Sequence, residues 1–238
     1  MYNFKKGQVW ECYQFAQRMK GNHNPDMIME REDWEIFRDD FRGKLGEVAL
    51  RNYVISIIPE AVINTQIDFS VTPRGQWDRD DIIVNNKHIS VKSIKGNARF
   101  LLIETYRYDE SGNYSYLNDD GSTIVIDMYA LVKVNIVPEI SLDDMEYSSV
   151  ADFWNSKGGR KVEYEVLGGI THKKFWEIKH FAPVGMKCNK NNLERICRGE
   201  SPEMADGSVS KTESLQQNNY VIDSRTELKR LSDLIKGE

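Results

Sequence analysis

The stretch "DDIIVNNKHISVKSIK", residues 80–95, constrains the fold more than any other part of the chain. Two β-branched runs flank Asn85-Asn86, and asparagine tolerates the positive φ that a two-residue type I′ turn demands. With that turn, paired positions sum to 171, so Asp81 stands opposite Ser90. Opposed residues of an antiparallel pair share a face, and alternation adds Lys92 to it. Ile82, Val84, Ile89 and Val91 take the other face. A four-residue turn would set Asp81 opposite Lys92 on the same face, and a three-residue turn would separate them. One face thus carries Asp, Ser and Lys, with His88 further along it, while the other is aliphatic. Asp80 and Lys95 fall off the polar face. Taken alone, this is equally an exposed ribbon with a weak cross-strand ion pair, worth well under about 1 kcal/mol.

The surrounding chain has 238 residues, 40% hydrophobic and 29% charged, which is ordinary for a folded domain with a real core. It has no apolar run of membrane-spanning length. The start, "MYNFKKGQVW", lacks the apolar core of a signal peptide. Cys12, Cys188 and Cys197 form neither a metal pattern nor an even disulfide set. These features predict a cytoplasmic protein with reduced thiols.

Val9, Cys12, Tyr13, Ala16 and Met19 recur at helical spacing. After the break "GNHNPD", a longer helix is predicted from about Arg31 to Ile57, ended by Pro59, with Trp34, Phe37, Phe41, Leu45, Val48 and Ala49 as its stripe. Residues 62–70 and 81–94 read as strands, 98–108 as strand or helix, and 122–137 as the firmest strand. Residues 198–219 are polar and read as a long loop. Ser224 and Glu227 form a capping box that opens a last helix through Leu228, Leu231, Leu234 and Ile235. Helices on either side of a strand-rich centre predict one α/β or α+β domain over 1–238.

Within the long helix, "FRGKLGEVALRNYV" (41–54) sets Glu47 in line with Gly43, Leu50 and Val54, beside the apolar stripe. A helix packed on both lines buries that carboxylate, which is costly unless a cation or hydrogen bonds meet it.

In this order, the pieces resemble the PD-(D/E)XK nuclease superfamily. "GKLGEVAL" looks like the family's first helix with its acid, Glu47. "DDIIVNN" looks like the strand opening with a metal-binding Asp, Asp81. "HISVKS" looks like the next strand with its D/E-x-K element, here Ser90-Val91-Lys92. The resemblance covers about residues 31–137 and leaves 138–238 as a C-terminal recognition or extension region. It implies a restriction-endonuclease-like core, a mixed central β-sheet flanked by helices. Ser90 departs from the pattern, which usually has Asp or Glu there. Glu47 is the first choice to supply the missing acid and Glu104, in "LLIETYR", the second.

The implied chemistry is phosphodiester hydrolysis assisted by Mg²⁺, with Mn²⁺ as a substitute. A hard divalent ion held by few carboxylates activates water and neutralises phosphoryl charge. Asp81, the Val91 carbonyl and Glu47 are the expected ligands. Lys92 is expected to stabilise the anionic transition state or orient the attacking water, and Ser90 to bond a metal-bound water. Net charge is −5, yet residues 171–198 hold seven Lys/Arg against two Glu. That basic, aromatic-bearing segment predicts phosphate contacts from Lys173, Lys174, Lys187 and Lys190, unless it is a solvated face. The expected activity is a sequence-specific type II restriction or defence endonuclease acting on double-stranded DNA. A homodimer is expected by analogy with palindromic targets. A repair, recombination or phage nuclease of the same fold, and a catalytically degenerate DNA-binding protein, are the rival readings.

Overall fold

A computed structural model describes residues 1–20, 32–71, 82–109, 111–114, 124–205 and 214–237. The chain is a mixed α/β fold. After β1 (Tyr2–Asn3) come α1 (Lys6–Met19) and α2 (Asp33–Ile57). The hairpin β2 (Ile82–Val84) and β3 (Lys87–Ile94) follows, then β4 (Phe100–Glu104) and β5 (Met128–Val137). The rest is α3 (Val150–Asn155), β6 (Lys161–Thr171), α4 (His172–Ile178), β7 (His180–Ala182) and α5 (Lys190–Cys197). Last come β8 (Asn219–Asp223), α6 (Ser224–Glu227) and α7 (Leu231–Lys236).

The main sheet runs β1-β6-β5-β3-β2 and a smaller one β4-β8-β7. Among the described residues, only β3 and β5 pair in parallel, and the other strand pairs are antiparallel. The crossover from β3 to β5 carries β4 into the smaller sheet. That sheet lies over one face of the main one: Leu101, Ile103 and Ile222 pack there on Tyr129, Leu131 and Ile170. The other face meets α1 and α2, with Tyr13, Phe37, Phe41, Leu45, Ala130, Val132 and Val134 all sealed from solvent. Covered on both sides, β5 reads as a nearly unbroken apolar run, which is why it gave the firmest strand signal.

Several expectations shift at their edges. Of residues 62–70, only Ile63 bridges, to Val84. Side chains take over the neighbouring ladder bonds: Ile83 N donates to Thr65 Oγ1 and Asn86 N to Asn64 Oδ1. Residues 98–108 resolve into β4 and a 3₁₀ turn at Thr105–Arg107. The last helix is two, because Lys229 and Gly169 exchange backbone hydrogen bonds between α6 and α7. Its opening cap is Asp223, whose side chain accepts from Arg225 N, and not Ser224. A Cβ on Gly168 would lie 2.5 Å from the Lys229 carbonyl, so that crossing requires glycine.

A second glycine sets the layer that matters for function. An ideal Cβ on Gly46 would lie 1.9 Å from Ser93 Oγ and 3.5 Å from a Val91 methyl. α2 therefore presses directly onto the Val91–Ser93 side of β3. Gly46→Ala is expected to cost about 1–3 kcal/mol by overpacking. Ser93 Oγ is buried and has no hydrogen-bond partner among the described residues, so Ser93→Ala alone should be close to neutral. Combined with Gly46→Ala it removes the worst clash, leaving 3.3 Å to the Ser93 Cβ. Urea unfolding of the two single variants and the double checks this; equal losses in G46A and the double would place α2 elsewhere.

Candidate functional site

The hairpin forms as its asparagines dictate. Asn85 and Asn86 have φ of 50° and 59°, and Ile82 pairs with Ile89, Ile83 with His88 and Val84 with Lys87, each pair summing to 171. Ile82, Val84, Ile89 and Val91 are at most 9% exposed, while Ile83, His88, Ser90 and Lys92 are half-buried. β3 pairs with β5 without a break from Ile89 to Ile94, so its alternation is unbroken. Ser90 stands beside Tyr129 and Lys92 beside Leu131, on the face of the smaller sheet. Asp81 lies outside the described residues, as does Asp80.

Glu47 is buried at 8% exposure, as its position in the helix predicts. Its Oε2 accepts from Lys44 Nζ at 2.8 Å, one turn earlier, and Lys44 is itself only 3% exposed. The ammonium lies 4.7 Å from the Phe15 ring and 6.0 Å from that of Phe69. The cost of burying this carboxylate is thus offset by a local cation in an aromatic cage. Its helix packs against β3 from the Val91–Ser93 side, opposite the face that Ser90 and Lys92 share. Glu47 thus stands in the helical layer on the Val91–Ser93 side of β3, while Ser90 and Lys92 stand on the strand's other face. The reason is the glycine contact at Gly46, which fixes which side of β3 the helix takes.

Glu104, the other acid considered, turns away as well. It shares its strand face with Phe100 and Leu102, while Leu101 and Ile103 point toward the main sheet. Its oxygens are engaged by Arg107 Nε and Gln217 Nε2. Magnesium asks for several hard oxygens around one point. Among the described residues no three His, Cys, Asp or Glu side chains gather in that way, and Asp81, the first expected ligand, lies outside them.

Three groups that sequence reasoning missed do share that face. Tyr129, fully buried, has its Oη 3.0 Å from His172 Nδ1. His172 N donates to the Asp127 carbonyl, and Asp127 Oδ2 accepts from His88 N at 2.7 Å. Burial pushes the Tyr129 hydroxyl up to about 12. Burial also lowers His172, against the opposing pull of a Gly112 backbone hydrogen bond and the Asp127 charge. At neutral pH the imidazole is therefore uncharged, and its Nδ1 and the tyrosine hydroxyl share one hydrogen bond. These residues arrive from β5 and the start of α4, far along the chain. Within "DMYALV" and "GITHKK" nothing local distinguishes them from core and cap residues.

The basic segment divides in two. From 187 to 203 four cations meet three glutamates. Lys187 pairs with Glu203, Lys190 with Glu194 at 3.8 Å, and Arg195 and Arg198 both with Glu200. Two of these acids fall just beyond residue 198, which is why the segment looked more cationic than it is. Lys173 and Lys174 are exposed on α4, with Glu177 3.5 Å from Lys174. Among the described residues no helix is long and apolar enough to cross a membrane. Comparison with family models, with curated proteins and with solved structures returns no match.

Proposed function

We propose that the chain is a DNA endonuclease whose reacting face is the polar side of the β2–β3 hairpin, with Asp81, Ser90 and Lys92 as its working groups. One observation carries this reading: the register sum of 171 and the alternation of β3, which hold Ser90 and Lys92 on the side of the ribbon away from the buried Ile82, Val84, Ile89 and Val91. The chain order supports it too, since a long helix with a buried acid precedes the hairpin and packs on its second strand. Lys92 supplies a fixed positive charge where phosphoryl charge develops. Ser90 offers a hydroxyl to the attacking water but no carboxylate charge. Dependence on Mg²⁺ belongs to the proposal through Asp81 and the family resemblance. A restriction or defence role, a double-stranded target and a homodimer belong to it in the same way.

Glu47 has two roles open to it, and Glu47→Gln separates them. A ligand loses cleavage and keeps its fold; an ion-pair partner loses stability and keeps cleavage. The Lys44 pair and the helix's placement favour the second. We expect E47Q to lower the melting temperature while still cutting within a few-fold of wild type.

The proposal is tested by incubating the purified protein with phage DNA and Mg²⁺, against an EDTA control, then sequencing the ends. Discrete ends that vanish with EDTA support a sequence-reading endonuclease. Intact DNA at every metal and protein concentration overturns it.

A further inference from the structure

The half of the basic segment that keeps its positive balance also carries an aromatic series rising to the surface. Phe175 is sealed in the core, Trp176 and Tyr220 are half-buried, and Phe181 on β7 is 53% exposed. Trp176 meets Tyr220 with ring centroids 5.1 Å apart at 70°, and Tyr220 meets Phe181 at 6.4 Å and 65°. Lys179 lies on this series, its Nζ 4.0 Å from the Trp176 ring and 4.9 Å from that of Tyr220. Burial lowers its pKa, in keeping with an ammonium held against rings. Gly112 also lies against the Trp176 ring, where an added Cβ would come within 2.8 Å. Trp176 is thus engaged by Lys179, Tyr220 and Gly112, and Phe181 is the most exposed ring of the series. It stands on an edge strand, with Tyr220 as its cross-strand neighbour. From 172 to 182 three lysines face one glutamate, with two histidines beside them.

We propose that this edge binds unpaired nucleobases, Phe181 stacking on a base while Lys173, Lys174 and Lys179 meet the phosphates. The inference rests on the nuclease reading and deepens it: the substrate presents a single-stranded or splayed stretch at this edge. An exposed aromatic beside cations is the recurring means of gripping single strands, because every base has a π-face. An ordinary duplex offers no unstacked base to such a ring. The cations paired at 187–203 are left out of this role.

The test is fluorescence anisotropy with labelled (dT)₁₆ and a 16-base-pair duplex, at two salt concentrations without added metal. Phe181 is exposed, so F181A should fold, which its melting curve verifies. F181A is expected to lose about 10- to 100-fold in affinity for (dT)₁₆ with little change for the duplex, and Phe181→Trp should restore binding. K187A/K190A should match wild type. Equal binding of (dT)₁₆ by wild type and F181A overturns the inference. So does a change confined to sedimentation, which would assign the edge to a protein contact. Cleavage plays no part in this readout, so an inactive Lys92 or Asp81 variant leaves its outcome unchanged.

Discussion

Asp144→Ala is expected to destabilise the chain by about 3–5 kcal/mol, the range for removing one partner of a buried ion pair. Asp144 and the side chain of Arg160 are both fully buried. Arg160 Nη2 donates to Asp144 Oδ1 at 2.6 Å, and its Cζ lies 4.7 Å from the Phe153 ring. Its Nε and Nη1 already have no hydrogen-bond partner among the described residues. Without the carboxylate, a sealed guanidinium would keep little but the Ser156 hydroxyl, 3.2 Å away. The reverse change should be milder. Arg160→Met leaves Asp144 with the Ser141 amide and hydroxyl, the Tyr147 hydroxyl and the Lys157 ammonium. The same knot holds α1, since Tyr13 Oη donates to the Asp144 carbonyl and accepts from Tyr147 N.

This pair also fixes a pH dependence. Burial pushes the Asp144 carboxyl upward, but the bonds from Lys157, Ser141 and Tyr147 and the Arg160 charge outweigh it and bring it down to about 2. A carboxyl depressed in the folded state contributes stability above its unfolded value near 3.8, and that contribution is lost as pH falls toward 2. The amount is about 2 kcal/mol. Melting temperatures between pH 5 and pH 2 should fall more steeply for wild type than for D144N. Parallel slopes would mean that Asp144 is not held ionised.

Lys92→Ala is expected to lower the cleavage rate by at least about 10²-fold, the scale of losing one group that stabilises transition-state charge. Binding of uncut DNA should hold within a few-fold, because the affinity of such complexes comes from many phosphate contacts. Lys92 stands beside Leu131 on a half-buried strand, so its aliphatic stem can be matched by methionine. Lys92→Met therefore serves as the stability control, with packing kept and the charge removed. Both variants should be equally slow. If methionine cuts normally while alanine does not, the lysine acts through packing.

The parts of the fold that could be read from sequence were those set by local stereochemistry. Asn85-Asn86 named its own turn, and the turn fixed the register of every residue from Ile82 to Ile89. The α1 stripe and the burial of Glu47 followed from helical spacing in the same way. What stayed hidden was decided by contacts distant in sequence. No spacing rule says that Gly46 will sit on Ser93, and that contact chose the side of β3 on which Glu47 would lie. The Tyr129–His172 pair depends on β5 and β6 lying side by side, and the split between α6 and α7 depends on Gly169 reaching Lys229. The Asp144–Arg160 knot falls in the region where no motif was legible.

The proposed chemistry requires that a carboxylate at position 81 and an ammonium at position 92 act as one unit on phosphodiesters. Cleavage of supercoiled plasmid in Mg²⁺ by wild type, Asp81→Ala, Lys92→Ala and the double variant tests this in a single assay. The expected result is that either substitution stops cutting and the pair together is no slower than the worse single. Full-rate cutting by either single variant would contradict it.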